Sequence, residues 1–233
     1  MHDFQKDKLI VALDMPGADA ARVLVDTLGD SVSFYKVGLE LLFSGGLDLA
    51  RDLKRQNKRV FLDMKLLDIG NTVERAVATA AQLGLDFLTI HGHDSKTLKA
   101  AVKGRGASSL KLLAVTVLTS LDAADLAEQG TTLSPSDLVI KRARLAHANG
   151  FDGVIASGRE AAKVRAASGP NFLVITPGIR LPGGAAGDQT RITTPEDALR
   201  AGANHLVVGR PISNAAPNPK AAAEAFQGHI ACA

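Results

Sequence analysis

Residues 60–74 read VFLDMKLLDIGNTVE, a short apolar run followed by charged residues and then by residues that begin helices. The apolar run Val60–Met64 predicts a buried strand, and Asn71 to Glu74 predict a helix start. Strands that are apolar on both faces indicate a parallel sheet covered by helices. Eight such units in 233 residues predict a closed (β/α)8 barrel, an α/β fold with residues 1–233 as one domain. The other seven apolar runs are Leu9–Leu13, Ser33–Val37, Phe87–His91, Lys111–Val117, Gly153–Ala156, Phe172–Thr176 and His205–Val208.

Helix-capping residues stand where this scheme requires them. Thr194 followed by Pro195 offers an N-cap and a proline at the first helical position. Gly84, Gly150 and Gly202 each follow a helical run, as C-cap glycines do. The chain shows no linker and no repeat beyond the alternation of strand and helix.

Composition argues against a nucleic-acid partner. Aromatic residues make up 4% of the chain and Trp is absent, which is atypical of proteins that stack single-stranded bases. The net charge is +3 and the basic residues are scattered. The densest basic group, Lys54, Arg55, Lys58 and Arg59, lies near the end of a predicted helix, where the helix dipole favours cations.

Three features predict a cytoplasmic protein without a membrane partner. No apolar run approaches the ~20 residues of a membrane helix. The first eight residues, MHDFQKDK, lack the apolar core of a signal peptide. Cys232 is the only cysteine, so it cannot form an internal disulfide, and this agrees with a reducing compartment.

Charged residues at strand ends indicate where chemistry would occur, because barrel active sites lie at the C-terminal ends of the strands. Asp63 and Lys65 are two residues apart on a strand and should share a face, with Asp68 in the loop beyond. Lys36 and Asp14 end the second and first strands. Together the charges alternate in sign and could aim a protonated lysine at a carbon that becomes negative. The competing interpretation is a buried ion pair with a helix-capping Asp, although such pairs seldom add stability.

The last two strands indicate a phosphate site. The seventh is followed by Pro177-Gly178-Ile179-Arg180 and the eighth by Gly209-Arg210. A glycine and a short helix after the eighth strand are typical of phosphate binding in barrels, and both arginines add charged donors. Residues 181–189, LPGGAAGDQ, are small enough to predict a lid over a bound phosphate, or else an ordinary surface loop.

In combination these residues resemble the orotidine 5′-phosphate decarboxylase family over nearly the whole chain. The Asp-x-Lys-x-x-Asp pattern alone is shared with 3-keto-L-gulonate 6-phosphate decarboxylase and hexulose phosphate synthase. This chain departs from the residues commonest in the family at two positions: Leu67 stands where His is usual, and Gly70 where Pro is usual. The motifs that carry the resemblance are Ala12-Leu13-Asp14, Lys36, Asp63-x-Lys65-x-x-Asp68, Leu118-Thr119-Ser120, Pro177-Gly178-Ile179-Arg180, Gly187-Asp188-Gln189 and Val208-Gly209-Arg210-Pro211.

The resemblance implies release of CO₂ from C6 of orotidine 5′-phosphate to give UMP, the last step of de novo pyrimidine synthesis, with no cofactor. It implies that Lys65 donates a proton to C6, that Asp63 lies near the substrate carboxylate, and that Lys36 anchors Asp63 and contacts the ribose. It also implies a homodimer in which Asp68 and Thr72 enter the neighbouring subunit's site. The implied substrate-binding residues are Asp14, Lys36, Ile69, Thr72, Thr119, Ser120, Pro177, Arg180, Gln189, Gly209 and Arg210.

Three alternatives stay open at this point. A metal-dependent sugar-phosphate lyase or epimerase would use the same fold, but the relatives of that kind have an acidic metal ligand where Lys36 stands. Glu40 lies past Gly38, and we expect it in the following helix rather than as a substitute ligand. His91 and His93 could share a face as metal ligands. A non-catalytic barrel that binds a phosphorylated ligand is the third alternative, and it has no use for a lysine between two aspartates.

Overall fold

The computed structural model describes residues 6–184 and 191–233, and it confirms the predicted barrel. Each strand pairs in parallel with the next, and the eighth pairs with the first, so the sheet closes on itself. The strand bounds agree with the predicted runs to within two residues. The strands are β1 (Leu9–Ala12), β2 (Phe34–Gly38), β3 (Arg59–Leu66), β4 (Phe87–His91), β5 (Lys111–Val115), β6 (Gly153–Ile155), β7 (Leu173–Thr176) and β8 (His205–Val208).

Helices connect the strands and cover the outside of the barrel. Between the short α2 and α3, residues Leu42–Gly46 form a π-helical turn, and Gly45 there has a φ of 93°. The helices are α1 (Ala18–Leu28), α2 (Leu39–Leu41), α3 (Leu47–Arg55), α4 (Gly70–Gln82), α5 (Ser95–Arg105), α6 (Ala123–Glu128), α7 (Pro135–Ala148), α8 (Ala161–Ser168), α9 (Pro195–Arg200), α10 (Arg210–Ser213) and α11 (Pro219–Ala231).

The predicted helix caps are confirmed. Thr194 accepts a hydrogen bond from the Asp197 N–H, and Pro195 begins α9. Gly84, Gly150 and Gly202 have positive φ angles of 67°, 78° and 98°. Glycine adopts this conformation without the steric penalty of a side chain, so each helix can turn directly toward the next strand.

Two apolar layers explain why the strands are apolar on both faces. Ile10 and Ala12 point into the barrel, where they pack with Phe34, Phe61 and residues from other strands. Their neighbours Leu9 and Val11 point outward, against the helices. A strand between two apolar layers has no face for water, and this produces the continuous runs seen in the sequence.

The N-terminal end of the barrel is filled by a group we call the floor cluster: Asp7, Phe34, Arg59, Phe87 and His205. The Arg59 guanidinium lies 4.1 Å from the centre of the Phe34 ring and 5.3 Å from that of Phe87. Its Nη1 is 3.3 Å from a carboxylate oxygen of Asp7, and His205 Nδ1 is 2.7 Å from the Asp7 carbonyl oxygen. Arg59 therefore belongs to the barrel interior, and not to a basic surface group.

Within residues 6–184 and 191–233, no helix is both long enough and apolar enough to cross a membrane. The cytoplasmic location and the lack of a nucleic-acid partner stay predictions.

Candidate active site

A cavity of about 510 Å³ lies at the C-terminal mouth of the barrel. Inward-facing apolar residues, among them Phe61 and Val207, form its base, and residues at the ends of the strands form its sides. The mouth is the place that the fold predicts for an active site. The residues proposed from the sequence that line this cavity are Asp14, Lys36, Asp63, Lys65, Thr119, Pro177, Arg180, Gly209 and Arg210.

Four of these residues form a continuous chain of alternating charge. Lys36 Nζ donates to Asp14 Oδ1 at 2.8 Å and lies 3.4 Å from Asp63 Oδ2. The same Asp63 oxygen accepts a hydrogen bond from Lys65 Nζ at 2.8 Å. Asp63 is thus held between two ammonium groups, and we call Asp14, Lys36, Asp63 and Lys65 the charge array.

Asp63 and Lys36 each stabilise the charged form of the other. Burial alone would raise the pKa of Asp63, but the Lys36 and Lys65 ammonium groups outweigh it and lower that pKa below its usual value. Burial alone would lower the pKa of Lys36, but Asp63 and Asp14 outweigh it and raise that pKa. Both groups therefore stay ionised at neutral pH, although both are buried. Lys65 is more exposed, at 29% of its side chain, and faces the cavity.

Thr89 completes the support of Asp63, and sequence reasoning missed it. Its hydroxyl donates to Asp63 Oδ1 at 2.9 Å and accepts the Lys65 backbone N–H at 2.9 Å. Thr89 is fully buried in the middle of β4. A single hydroxyl in the otherwise apolar run Phe87–Ile90 is the signal that could have identified it, because a buried hydroxyl requires a partner.

The backbone of β3 is irregular at Lys65, but Asp63 and Lys65 still face the same cavity, as the sequence predicts. Leu62 pairs with Leu88 but Leu66 pairs with Ile90, which leaves two additional residues on β3. Lys65 has a φ of 50°, a left-handed conformation that non-glycine residues rarely adopt. Such strain is concentrated at functional sites, where the surrounding structure maintains it. Here it leaves Lys65 Nζ in contact with Asp63.

Gly38 makes room for the charge array. A Cβ at this position would lie 2.8 Å from Asp14 Oδ1 and 2.9 Å from Lys36 Nζ, closer than real Cβ atoms approach polar atoms. A side chain here would displace the Asp14 carboxylate or the Lys36 ammonium, so glycine leaves room for their hydrogen bond where β2 ends. Glu40, two residues on, is in α2 as expected and lines the same cavity.

The structure does not bring Asp68, Ile69, Thr72 or Ser120 into the cavity of their own chain. All four are exposed, and among the described residues they are not part of its lining. The Asp68 carboxylate accepts the N–H of Ile69 at 2.6 Å. Asp68 therefore does not extend the charge array within one subunit, contrary to the network expected from the sequence.

The structure describes part of the predicted phosphate site. Gly178 has a φ of 74° and directs the chain from β7 across the mouth to Arg180. Gly209 precedes α10, a four-residue helix that begins with Arg210, as the sequence predicts. Gln189 and most of the predicted lid fall within residues 185–190, outside the described residues.

His91 and His93 occupy a second cavity of about 480 Å³, next to Arg142. Their rings are 4.7 Å apart. Burial, His93 and Arg142 lower the pKa of His91 to about 4, so this ring is neutral near pH 7. Among the described residues, no three His, Cys, Asp or Glu side chains are grouped so that they could hold a metal ion.

Comparison with known proteins agrees with this geometry. The model of the orotidine 5′-phosphate decarboxylase / HUMPS family matches residues 7–226. A protein named orotidine 5′-phosphate decarboxylase from Rhodopseudomonas palustris (strain BisB5) is 55% identical over 226 residues, which cover 97% of this chain and 95% of that protein. One of the same name from Nitrobacter winogradskyi is 55% identical over 224 residues, covering 96% and 92%.

Among solved structures, the crystal structure of orotidine 5′-phosphate decarboxylase from Lactobacillus acidophilus matches with a TM-score of 0.84 and 38% identity. The match covers 96% of this chain and 99% of that one. Sequence and fold thus agree over nearly the whole length. The chain belongs to the orotidine 5′-phosphate decarboxylase / HUMPS family.

Proposed function

We propose that this chain catalyses the decarboxylation of orotidine 5′-phosphate to UMP and CO₂ without a metal or other cofactor. The observation that carries the proposal is the charge array, in which one buried carboxylate holds two lysines at the mouth of the barrel. Lys36 occupies the position where the sugar-phosphate relatives have an acidic metal ligand. An ammonium group there repels a cation, which favours the cofactor-free reaction over the metal-dependent one.

Lys65 is the proposed proton donor. When the bond between C6 and the carboxylate breaks, the electron pair stays on C6, and an ammonium group next to that carbon stabilises the charge and then supplies the proton. Asp63 holds Lys65 Nζ at 2.8 Å and would lie close to the substrate carboxylate. The like charges disfavour the bound substrate relative to the transition state.

The other predicted residues bind the substrate away from the reacting carbon. Asp14 and Lys36 would contact the ribose, and Thr119, Ser120 and Pro177 would lie near the pyrimidine. The phosphate would be held by Arg180, Gln189, Gly209 and Arg210. Binding energy from the phosphate, remote from C6, can then be used in the transition state.

A homodimer is part of the proposal, with Asp68 and Thr72 contributed to the partner's site. The exposure of this segment supports it: Ile69 is 73% exposed and the adjacent Leu67 is 52% exposed, although both are apolar. Apolar side chains exposed next to an active site are typical of an interface. Partial activity on mixing inactive Lys65→Ala and Asp68→Ala proteins would show shared sites, because each mixed dimer then has one intact site. A mixture that stays inactive would contradict them.

The decisive experiment follows the ultraviolet absorbance of orotidine 5′-phosphate with purified protein, with and without EDTA. We expect the orotate band to disappear equally in both and to persist with Lys65→Ala. Lys111→Ala is the matched control, because Lys111 pairs with Asp152 at the opposite end of the barrel. An unchanged band with folded wild-type protein would refute the proposal, and turnover of a ketose phosphate that needs Mg²⁺ would replace it with the metal-dependent lyase.

A further inference from the structure

A second buried ion pair, formed by Arg191 and Glu160, lies in the loops that follow β6 and β7. Arg191 Nη1 is 3.1 Å from Glu160 Oε1, and both side chains are at most 10% exposed. Glu160 precedes α8 in the loop after β6, and Arg191 belongs to the segment that leads to α9. The reaction proposed above uses neither residue.

The pair joins loops that follow three different strands. Arg191 Nη2 donates to the Leu118 carbonyl oxygen at 2.8 Å, in the loop after β5 and next to Thr119, which lines the cavity. Two residues after Arg191, Thr193 forms a bridge with Ile179: the Arg180 N–H donates to the Thr193 carbonyl oxygen at 3.1 Å, and the Thr193 N–H donates to the Gly178 carbonyl oxygen at 3.2 Å. The position of Arg191 is therefore tied to that of Arg180.

Close packing strengthens this connection. A Cβ on Gly158 would lie 2.6 Å from Thr193 Oγ1 and 2.8 Å from Thr193 Cβ, so the loop after β6 contacts the segment directly. The loop after β6 thus holds residues 191–193 by packing at Gly158 and by charge at Glu160.

Stability alone does not account for the pair. Buried ion pairs seldom add net stability over apolar residues, and here Glu160 Oε2 and Arg191 Nε are buried with no hydrogen-bond partner among the described residues. The pair instead fixes the relative orientation of the loops that it joins. A planar guanidinium has fixed donor positions, and here it bonds one carboxylate and one carbonyl.

The geometry points to Arg191 and Glu160 as positioning residues that hold residues 178–180, just after β7, so that Arg180 meets the substrate phosphate. This inference rests on the proposed function for the identity of the substrate, but not for the presence of a phosphate. Arg191 itself does not line the cavity, so it acts through Arg180 and through the loop that carries Leu118 and Thr119.

The test is a double-mutant cycle on phosphate affinity, with inorganic phosphate as the probe in an NMR titration. Arg180→Ala and Arg191→Met are each expected to weaken binding about tenfold. If Arg191 acts through Arg180, the double variant binds no more weakly than Arg180→Ala. Unchanged affinity in Arg191→Met, or losses that multiply in the double variant, would overturn the inference.

Two further variants separate positioning from folding. Glu160→Leu combined with Arg191→Met leaves no unpaired buried charge, so the protein should stay folded while phosphate affinity stays low. Arg165→Met is the matched control, because Arg165 also joins several loops but at the other end of the barrel, where it donates to the carbonyls of Gly169 and Gly202 and to Asn204. We expect it to lower the melting temperature without weakening phosphate binding. Weakening by Arg165→Met equal to that by Arg191→Met would reduce the effect to general stability.

The kinetic readout keeps this inference distinct from the proposed function. With orotidine 5′-phosphate, Arg191→Met should lower kcat/KM by about tenfold, and with orotidine, which lacks the phosphate, by much less. A wild-type protein that binds phosphate through Arg180 and Arg191 but leaves orotidine 5′-phosphate unchanged would refute the function and retain the inference. A wild-type protein that binds no phosphate would overturn the inference.

Discussion

The two ends of β3 present the same kinds of charge in different surroundings. At its start, Arg59 lies between Asp7 and Asp86 and over two aromatic rings, so protein atoms of the floor cluster fill the space around its guanidinium. At its end, Asp63 lies between Lys36 and Lys65 beside a cavity of about 510 Å³. The ion pairs at the start of β3 face only protein and support the fold, whereas those at its end face a cavity and are available to a ligand.

The largest difference is expected when one aspartate at each end is changed to asparagine. Asp63→Asn should lower kcat/KM for orotidine 5′-phosphate by roughly 10²- to 10³-fold, because Lys65 then has no carboxylate partner and Lys36 keeps only Asp14. Asp86→Asn, which loses the pair with Lys54 at 2.6 Å, should change kcat/KM by less than about threefold but destabilise the protein by about 2 kcal/mol. Steady-state kinetics and urea unfolding measure the two effects. Equal activity losses in both variants would end the distinction.

The floor cluster should affect stability and not activity. Arg59→Met is expected to reduce the free energy of unfolding by about 3 kcal/mol, since Asp7 and Asp86 each lose their ion pair with the guanidinium and the Phe34 ring loses its cation–π contact. Arg51→Met is the control, because its pair with Asp48 is exposed and should contribute less than about 0.5 kcal/mol. Denaturant titration decides. A large loss of activity at unchanged stability would place chemistry at the floor.

Stability should fall with acid partly through His205. Burial is the main cause that lowers its pKa to about 4 in the folded protein. Between the ordinary histidine pKa of roughly 6.5 and 4, the unfolded chain binds a proton that the folded chain does not, so stability decreases as the pH falls through this window, by up to roughly 3 kcal/mol. His205→Asn should flatten the dependence in urea titrations from pH 7 to 4. Because burial also lowers the pKa of His91, at the mouth, part of the pH dependence should remain in His205→Asn. A pH dependence unchanged from the wild type would contradict the role given to His205.

The smallest effects on activity are expected at the rim of the mouth, where two residues of this chain differ from those commonest in the family. Gly70 is the first residue of α4, a position that accepts proline, and Leu67 is half exposed. Gly70→Pro and Leu67→His should therefore change kcat/KM by less than about threefold. A larger change in either variant would show that the rim takes part in the chemistry.

Much of the site could be predicted because parallel strands bring their C-terminal ends to one place. The apolar runs identified the eight strands, and the charged residues that follow them had to meet at the mouth. Asp14, Lys36, Asp63 and Lys65 were found in this way, although they come from three strands. Asp68 could not be placed, because a loop residue one or two positions past a strand can point into the cavity or away from it.

The rest depended on contacts between distant parts of the chain. Thr89 contacts Asp63 from 26 residues away, and Arg191 contacts Leu118 from 73 residues away. The left-handed backbone of Lys65 also has no local signal, because a bulge is set by pairing between strands. The alternation of apolar strand segments with helical segments determined that this chain forms a barrel and where its mouth lies. Closure of the barrel decided which buried charges face a cavity and which face only protein, because that depends on partners that the neighbouring sequence does not contain.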